Sequence, residues 1–478
     1  MYPILAIDQG TTSTKAYLRM ADGTTRLAGS RGHSQLHPHP GWVEHDPLEL
    51  LENIRALLAA AAPFARLGLA NQGETVVAWD AQTKRPLHNA IVWQDNRTSP
   101  ETERLKAAGL EAETLARAGL PLDPYFSATK LRWLLDNTQD ARALHRQGRL
   151  RLGTSDAFFI DCLTGTFATD VSTASRTSLL NLRTLQWDET LCALFGVPLE
   201  CLPEIRPTAG DFGQLPGGAT LTASAVDQQA ALFGHGCQQP GDIKITFGTG
   251  AFALGLTGAA PVMGGTTGLL PTAAWQIGAA APQFALEGGI LTAGSALEWL
   301  RGIGLLADFA EIDALSGPSA AAQGVFFVPA LAGLGCPYWD RTARGAWLGL
   351  SLETPRAALI RAVVEGIALR AAELAAAFAK TSPLARVSID GGLSRSTYFT
   401  QFLANALGHP VSVAASADLT ALGMLQFCES LESTSRHAGQ DWQVVTPQAD
   451  DFTAIHMKFA SAVACVRGHG AQPEIIAL

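Results

Sequence analysis

Asp8 ends a short apolar run, Ile4-Leu5-Ala6-Ile7, and Gln9 leads from it into Gly10-Thr11-Thr12-Ser13-Thr14-Lys15. A glycine, four hydroxyl residues and a cation in one turn present N–H, O–H and positive charge to a phosphate, and a carboxylate beside them suits a Mg2+ ion. A second turn of related composition, Gly248-Thr249-Gly250, lies between the apolar stretches 242–247 and 251–258. A third site, Asp390-Gly391-Gly392, follows Arg386-Val387-Ser388-Ile389, and its paired glycines let a ligand lie against backbone. The two Gly/Thr turns and the strand-end Asp-Gly-Gly can together build one nucleotide site, in a chain that lacks the G-x-x-x-x-G-K-[ST] phosphate loop. Asp227 ends Ala223-Ser224-Ala225-Val226 and opens a helical stretch, while Asn71-Gln72-Gly73-Glu74 and Gln94-Asp95-Asn96-Arg97 end two more apolar runs. The ends of strands are where doubly wound sheets place ligands.

The elements that must carry these residues alternate strand and helix. The pattern predicts strands at Leu67–Ala70, Ala90–Trp93, Ala223–Val226, 242–258 around the second turn, Gly324–Pro329 and Arg386–Ile389. Asp22-Gly23 reads as a two-residue turn closing the first hairpin. Asp46, Pro47 and Glu49 have the order of a helix start, for a helix running through Ala62. Ser127 is the expected cap of a helix at 128–137, and Thr354 of a long helix from Pro355 to Ala379. Gly408 should stop a helix at Leu407, and the tail after Gly423 shows no motif. The repeated strand–(Gly/Thr)–strand unit predicts an internal duplication. The expected domains are 1–236 and 237–478, divided near 234–241, each giving one phosphate turn to a shared cleft.

Bulk properties narrow the function. With 478 residues and 47% hydrophobic content, the chain is expected to form two globular domains. Its net charge of −9 has no basic block, which argues against a nucleic-acid partner. The seven cysteines are dispersed without a C-x-x-C pair, the pattern of reduced thiols in a cytoplasmic protein. No signal-peptide pattern and no apolar run of about 18 residues is present, so neither secretion nor membrane insertion is expected. His33, His37, His39 and His45 fall within thirteen residues, but two prolines stiffen the segment and no register gathers the rings around a metal.

Taken together, these blocks resemble the FGGY carbohydrate kinase family, and within it the glycerol kinases most. The similarity runs from the first turn to Thr420-Ala421-Leu422-Gly423. It is densest at Gly41–Pro47, Asn89–Asp95, Gly119–Phe126, Asp227–Gly234 and Gly335–Asp340. The resemblance implies two actin-like, ribonuclease-H-like α/β domains with a catalytic cleft between them. It also implies a homo-oligomer, dimer or tetramer, acting on a small polyol or sugar with ATP and Mg2+. Carried over by position, Asp8 would serve the Mg2+, while Thr11, Thr12, Ser13 and Lys15, with Gly248 and Thr249, would face the phosphates. Gly391, Gly392 and Ser396 would serve the nucleoside. Asp227 would be the general base, and Gly73, Glu74, Trp93, Tyr125, Gln228 and Phe252 would line the polyol pocket with it.

Two departures from the glycerol kinase pattern matter. Where those enzymes read Asn-Gln-Arg-Glu, this chain has Gly73. Loss of a charge-assisted hydrogen bond predicts glycerol weakened by roughly 10- to 150-fold, and a vacated volume favours a tetritol, pentitol or ketose. The segment Leu215–Thr222 carries no Arg or Lys, so inhibition by fructose 1,6-bisphosphate is not expected. The Gln-Met-His block of pentulose kinases is absent. Other readings stay open at this level. Asp8 and Asp227 could be caps, Glu74 a surface carboxylate, and Trp93, Tyr125 and Phe252 core aromatics. The whole could be an actin-like, nucleotide-switched binding protein or an inactive kinase.

Overall fold

Two mixed sheets built to one plan organise the chain. The computed structural model describes residues 3–61, 63–263, 267–315, 317–415, 418–431, 441–448 and 451–468. In the first sheet, Ile4–Gln9, Ser13–Arg19 and Thr25–Gly32 form an antiparallel meander. Arg66–Asn71 then pairs parallel to the first strand, and Thr220–Val226 parallel to that. In the second, Asp242–Phe247, Ala251–Gly258 and Gln283–Ile290 repeat the meander, with Arg386–Gly391 and Val411–Ala414 as the parallel strands. Leu270–Trp275 and Trp442–Val445 extend its edges. This is the duplication that the repeated hairpin predicts, in the α/β, actin-like form that the resemblance implies.

Alternation along each strand decides what covers each face. Leu5 and Ile7 point to the helix Pro47–Ala61, meeting Leu50, Ile54 and Leu57, while Ile4 and Ala6 point the other way. There they join Leu232 of the helix Asp227–Gly234, Leu254 of the second sheet, and Ala421 and Met424 of the helix Leu419–Ser430, in one core shared by both halves. Those two helices follow the last parallel strand of each sheet and cross without side chains between them. A Cβ on Gly234 would strike the Leu419 carbonyl, and one on Gly423 the Ala230 carbonyl. The close crossing fixes the helix that begins at Asp227 against the second half.

Several local expectations change. The first hairpin closes through residues 20–24, with Met20 N bonded to Thr24 O, so Asp22-Gly23 is the end of a longer turn. Asp46 does open its helix, its Oδ1 accepting from Leu48 N, and the described helix stops at Ala61; Ala62 lies outside the described residues. Ser127 is inside its helix, Ser127–Asn137, and donates its hydroxyl to Glu74 O. Thr354 makes no cap: its Oγ1 accepts from Ser351 N, and the long helix spans Arg356–Ala379 after Pro355. The run predicted at 90–93 keeps strand pairing only at Ala90–Ile91, and that at 324–329 only at Phe326–Val328. The motif-free tail contributes the edge strand Trp442–Val445 and the helix Thr453–Gly468. Among the described residues no two of the seven cysteines form a disulfide. Among the described residues no helix is long and apolar enough to cross a membrane.

Candidate active site

Two cavities open at the carboxyl ends of the parallel strands. The larger, about 750 Å3, lies wholly against the second half, lined by Phe247, Gly248, Thr249, Gly294, Gly392 and Ser396 among others. The smaller, about 160 Å3, is built from both halves and has Thr11, Gly73, Glu74, Trp93, Tyr125, Arg176, Val226, Asp227, Gln228, Phe252 and Glu287 in its wall.

The larger cavity is shaped by backbone. The turn at Gly248-Thr249 is locked by the start of the helix Gly294–Gly302: Gly294 N donates to Gly248 O at 2.9 Å and Ser295 N to Thr249 O at 3.0 Å. Of the paired glycines, only the second faces the cavity. A Cβ on Gly392 would meet nothing within 4 Å, whereas Gly391 has φ 95° and its Cβ would strike the Phe247 carbonyl. Gly391 therefore serves the strand crossing beneath the site. Ser396 lines the cavity, but its hydroxyl donates to Asp313 at 2.7 Å and caps the helix Thr397–Leu407 through Phe399 N.

The first turn stands beside the smaller cavity. Gly10 N closes it on Ser13 O at 3.0 Å, and Trp93 Nε1 donates to Thr11 Oγ1 at 3.3 Å, so Thr11 faces that cavity. Thr12 is exposed, Ser13 is partly buried, and Lys15 reaches Asp418 at 3.7 Å. The histidine run proves to be a brace: His33 Nε2 bonds Thr11 O at 3.0 Å and stacks edge-on against His45. Among the described residues no group of three or more His, Cys, Asp or Glu could hold a metal.

The smaller cavity is shaped by side chains. Trp93, Tyr125 and Phe252 meet edge-to-face, with Trp93 5.8 Å from Tyr125 and 6.3 Å from Phe252. The blocks at 41–47 and 89–97 form the scaffold behind Trp93. Arg97, buried between Trp42 and Trp133, pairs with Asp95 and Glu44, and Asp95 in turn accepts from Val43 N. Glu74 is 4% exposed and so is no surface carboxylate. It sits at φ 57°, a left-handed conformation that costs a non-glycine residue of order 1–3 kcal/mol and is held by the structure around it. Burial pushes its carboxyl up while the Arg176 guanidinium, at 2.6 Å, pulls it down. Asp227 is the first helical residue after Val226, its Oδ1 accepting from Gln228 N at 2.7 Å. Burial, with the Asp8 charge beside it, pushes the Asp227 carboxyl up to about 7. Asp8 is pushed up to about 6 by burial, against Lys15. Gln228 accepts from the buried ammonium of Lys244.

Residues 3–234 match the N-terminal domain of the FGGY family of carbohydrate kinases, and residues 243–428 match its C-terminal domain. The chain belongs to the FGGY family. Curated glycerol kinases of Citrifermentans bemidjiense and Thermus brockianus are each 45% identical to it, with 88% of either chain covered. The crystal structure of Plasmodium falciparum glycerol kinase with ADP superposes with a TM-score of 0.89 at 31% identity, covering 98% of both chains. A Lactobacillus acidophilus xylulose kinase, 21% identical with a TM-score of 0.88, shares the fold. This FGGY protein is therefore an ATP-dependent kinase of an alcohol group.

Its cleft brings Thr11, Glu74, Trp93, Tyr125, Asp227, Gln228 and Phe252 to one pocket and Gly248, Thr249, Gly392 and Ser396 to the other. The volume expected at Gly73 is narrowed on one side. A Cβ on Gly73 would lie 3.0 Å from Val226 Cγ1, so the valine already fills that side. Sequence reasoning missed Arg176, Glu287 and Val226. Arg176 sits beyond the one-turn helix Val171–Ala174, in a stretch of small and hydroxyl residues. A lone cation there was the only signal available.

Proposed function

We propose that the protein transfers the γ-phosphoryl group of ATP to a terminal hydroxyl of glycerol or a glycerol-like polyol, with Asp227 as general base. The observation that carries this reading is Asp227 itself: a carboxylate at the wall of a 160 Å3 polar and aromatic pocket, held near a pKa of about 7 beside Asp8. A base poised at the working pH can accept the proton of an attacking hydroxyl without being permanently neutralised. The aromatic walls of Trp93, Tyr125 and Phe252 suit the CH faces of a polyol, while Glu74 and Gln228 supply polar contacts. The pocket of about 160 Å3 suits a three-carbon acceptor, and a neighbouring cavity of about 480 Å3 shares its Trp93, Tyr125, Phe252 and Glu287 walls.

The nucleotide belongs in the 750 Å3 cavity, its base and ribose near Gly392 and Ser396 and its phosphates running past Gly248 and Thr249 toward Thr11, Thr12, Ser13 and Lys15. Asp8 fits a Mg2+ ion by donor type. Mg2+ takes hard oxygens and is commonly held by one or two carboxylates together with substrate phosphates. When bound, the ion would neutralise charge on the transferring phosphoryl group. The chain's own part is positioning: the aromatic walls hold the acceptor, Asp227 takes its proton, and the turns hold the phosphates in line. We also assign the first turn, the base and most of the acceptor pocket to a domain 1–236, and the second turn, the nucleoside site and the Phe252 and Glu287 walls of the acceptor pocket to a domain 237–478.

Coupled ADP-release kinetics over a panel of C3 to C6 polyols and ketoses test the reading. The expected result is turnover with the best kcat/KM at a three-carbon polyol. Basal ATP hydrolysis that no acceptor changes would instead favour a nucleotide-switched binding protein.

A further inference from the structure

Arg176 is the most deeply buried charge in the acceptor pocket, at 1% exposure, and nothing in the phosphotransfer chemistry above uses it. Its Nε donates to Glu74 Oε1 at 2.6 Å, and its Nη2 pairs with Glu287 Oε2 at 2.9 Å. Glu74 comes from the first half and Glu287 from the second, so the guanidinium plane is fixed from both sides of the cleft. Tyr125 and Phe126 hold it from their ring faces, with Cζ 5.6 and 5.4 Å from the centroids. Its Nη1 makes no hydrogen bond among the described residues. A buried donor with no acceptor is costly, and one at the wall of a cavity points to an acceptor that arrives with a ligand.

Gly73 lies in the same wall and offers only backbone. The chain thus has no side chain at residue 73, yet it has a guanidinium in the same pocket wall from another element. Val226 makes the exchange one-way, since its Cγ1 stands 3.0 Å from the place of a Cβ on residue 73.

We propose that Arg176 is the cation that binds substrate hydroxyls in this protein, donating from Nη1 to a hydroxyl that the reaction leaves free, with Val226 closing the Gly73 side. The inference rests on the kinase reading and deepens it. Rigid placement between two carboxylates gives a directional donor, and the same carboxylates are at hand to accept from the hydroxyl it orients. A small vicinal polyol is the chemical class this fits. The expected tenfold or greater penalty on glycerol from Gly73 then disappears.

The test compares wild type, R176K and R176Q on glycerol, propane-1,2-diol and propane-1,3-diol, measured as substrates or as competitive inhibitors. Loss of one charge-assisted hydrogen bond predicts that R176Q loses about 10- to 150-fold in kcat/KM for glycerol, mainly through KM. The propanediol that lacks the contacted hydroxyl should lose far less, and the KM for ATP should stay put. R176K keeps the charge and both carboxylate partners, so it covers the case in which R176Q does not fold, and should show the same pattern at smaller size. G73R should not improve glycerol, whereas G73R with V226G should restore it to the R176Q background. Equal losses on glycerol and both propanediols would reduce Arg176 to a structural ion pair and overturn the inference, with the kinase reading intact. A wild type that phosphorylates no polyol would instead bring down the kinase reading, and this inference with it.

Discussion

The two cavities of the cleft are made in opposite ways. The nucleotide cavity is walled by turns and small residues held by main-chain bonds, such as Gly294 N to Gly248 O, and it lies within one half. The acceptor pocket is less than a quarter as large, combines both halves, and is walled by two carboxylate–arginine pairs, three aromatic rings and Asp227. Backbone recognition suits a ligand whose phosphates are the same in every turnover. Side-chain recognition suits the partner whose hydroxyls must be counted and aligned. On the proposed assignment, specificity resides in side chains from distant elements and ATP handling in local turns.

The largest expected break of that contrast is D227N, an isosteric change in the pocket that depends on side chains. It should lower kcat/KM by about 10²- to 10⁴-fold without changing the KM for ATP. The same variant should melt higher than wild type above pH 7. With Asp227 raised to about 7 in the fold, folding resists its ionisation, so stability falls as pH rises from the ordinary carboxylate range through about 7 and the penalty is full beyond it. Asparagine removes that penalty, and thermal melts across pH check it. In wild type, kcat/KM should correspondingly fall on the acid side of about pH 7, as the base becomes protonated.

The nucleotide side breaks through added Cβ atoms instead. G391A should destabilise the protein by about 1–3 kcal/mol or more, because φ 95° and the Phe247 carbonyl both oppose a side chain there. G392A, facing open space, should leave the melting temperature alone and raise the KM for ATP, which denaturation and kinetics separate. S396A should cost about 0.5–2 kcal/mol as a lost helix cap and move the KM for ATP only slightly. A large effect of S396A on ATP would mean that the cavity reads its ligand by side chain after all. Fructose 1,6-bisphosphate should change nothing, since residues 215–222 offer no cation to its phosphates; titration into the assay checks this.

Local signals made half of this site readable. Asp8, the two Gly/Thr turns and Asp390-Gly391-Gly392 each announce themselves within a few residues, because a turn's chemistry is written in the residues that make it. The strand ends at Glu74 and Asp227 were legible for the same reason. Arg176 was not, since its partners Glu74 and Glu287 lie 102 and 111 positions away, and no local pattern marks a cation that is buried by other elements. Ser127 and Thr354 show the reverse failure. Both have the right type for a cap, and tertiary contacts gave their hydroxyls other work.

The sequence by itself determined the duplicated hairpins, the alternation that buries Leu5 and Ile7 on one face and Ile4 and Ala6 on the other, and the place of Asp227 at a strand end. Those follow from short-range geometry, where periodicity and turn chemistry act between neighbours. Only the tertiary structure decided what faces Gly73. The absence of a side chain reads as a void in one dimension. In three, Val226 narrows it and Arg176 brings a guanidinium to the same wall, because close packing lets residues 150 positions apart compete for one volume.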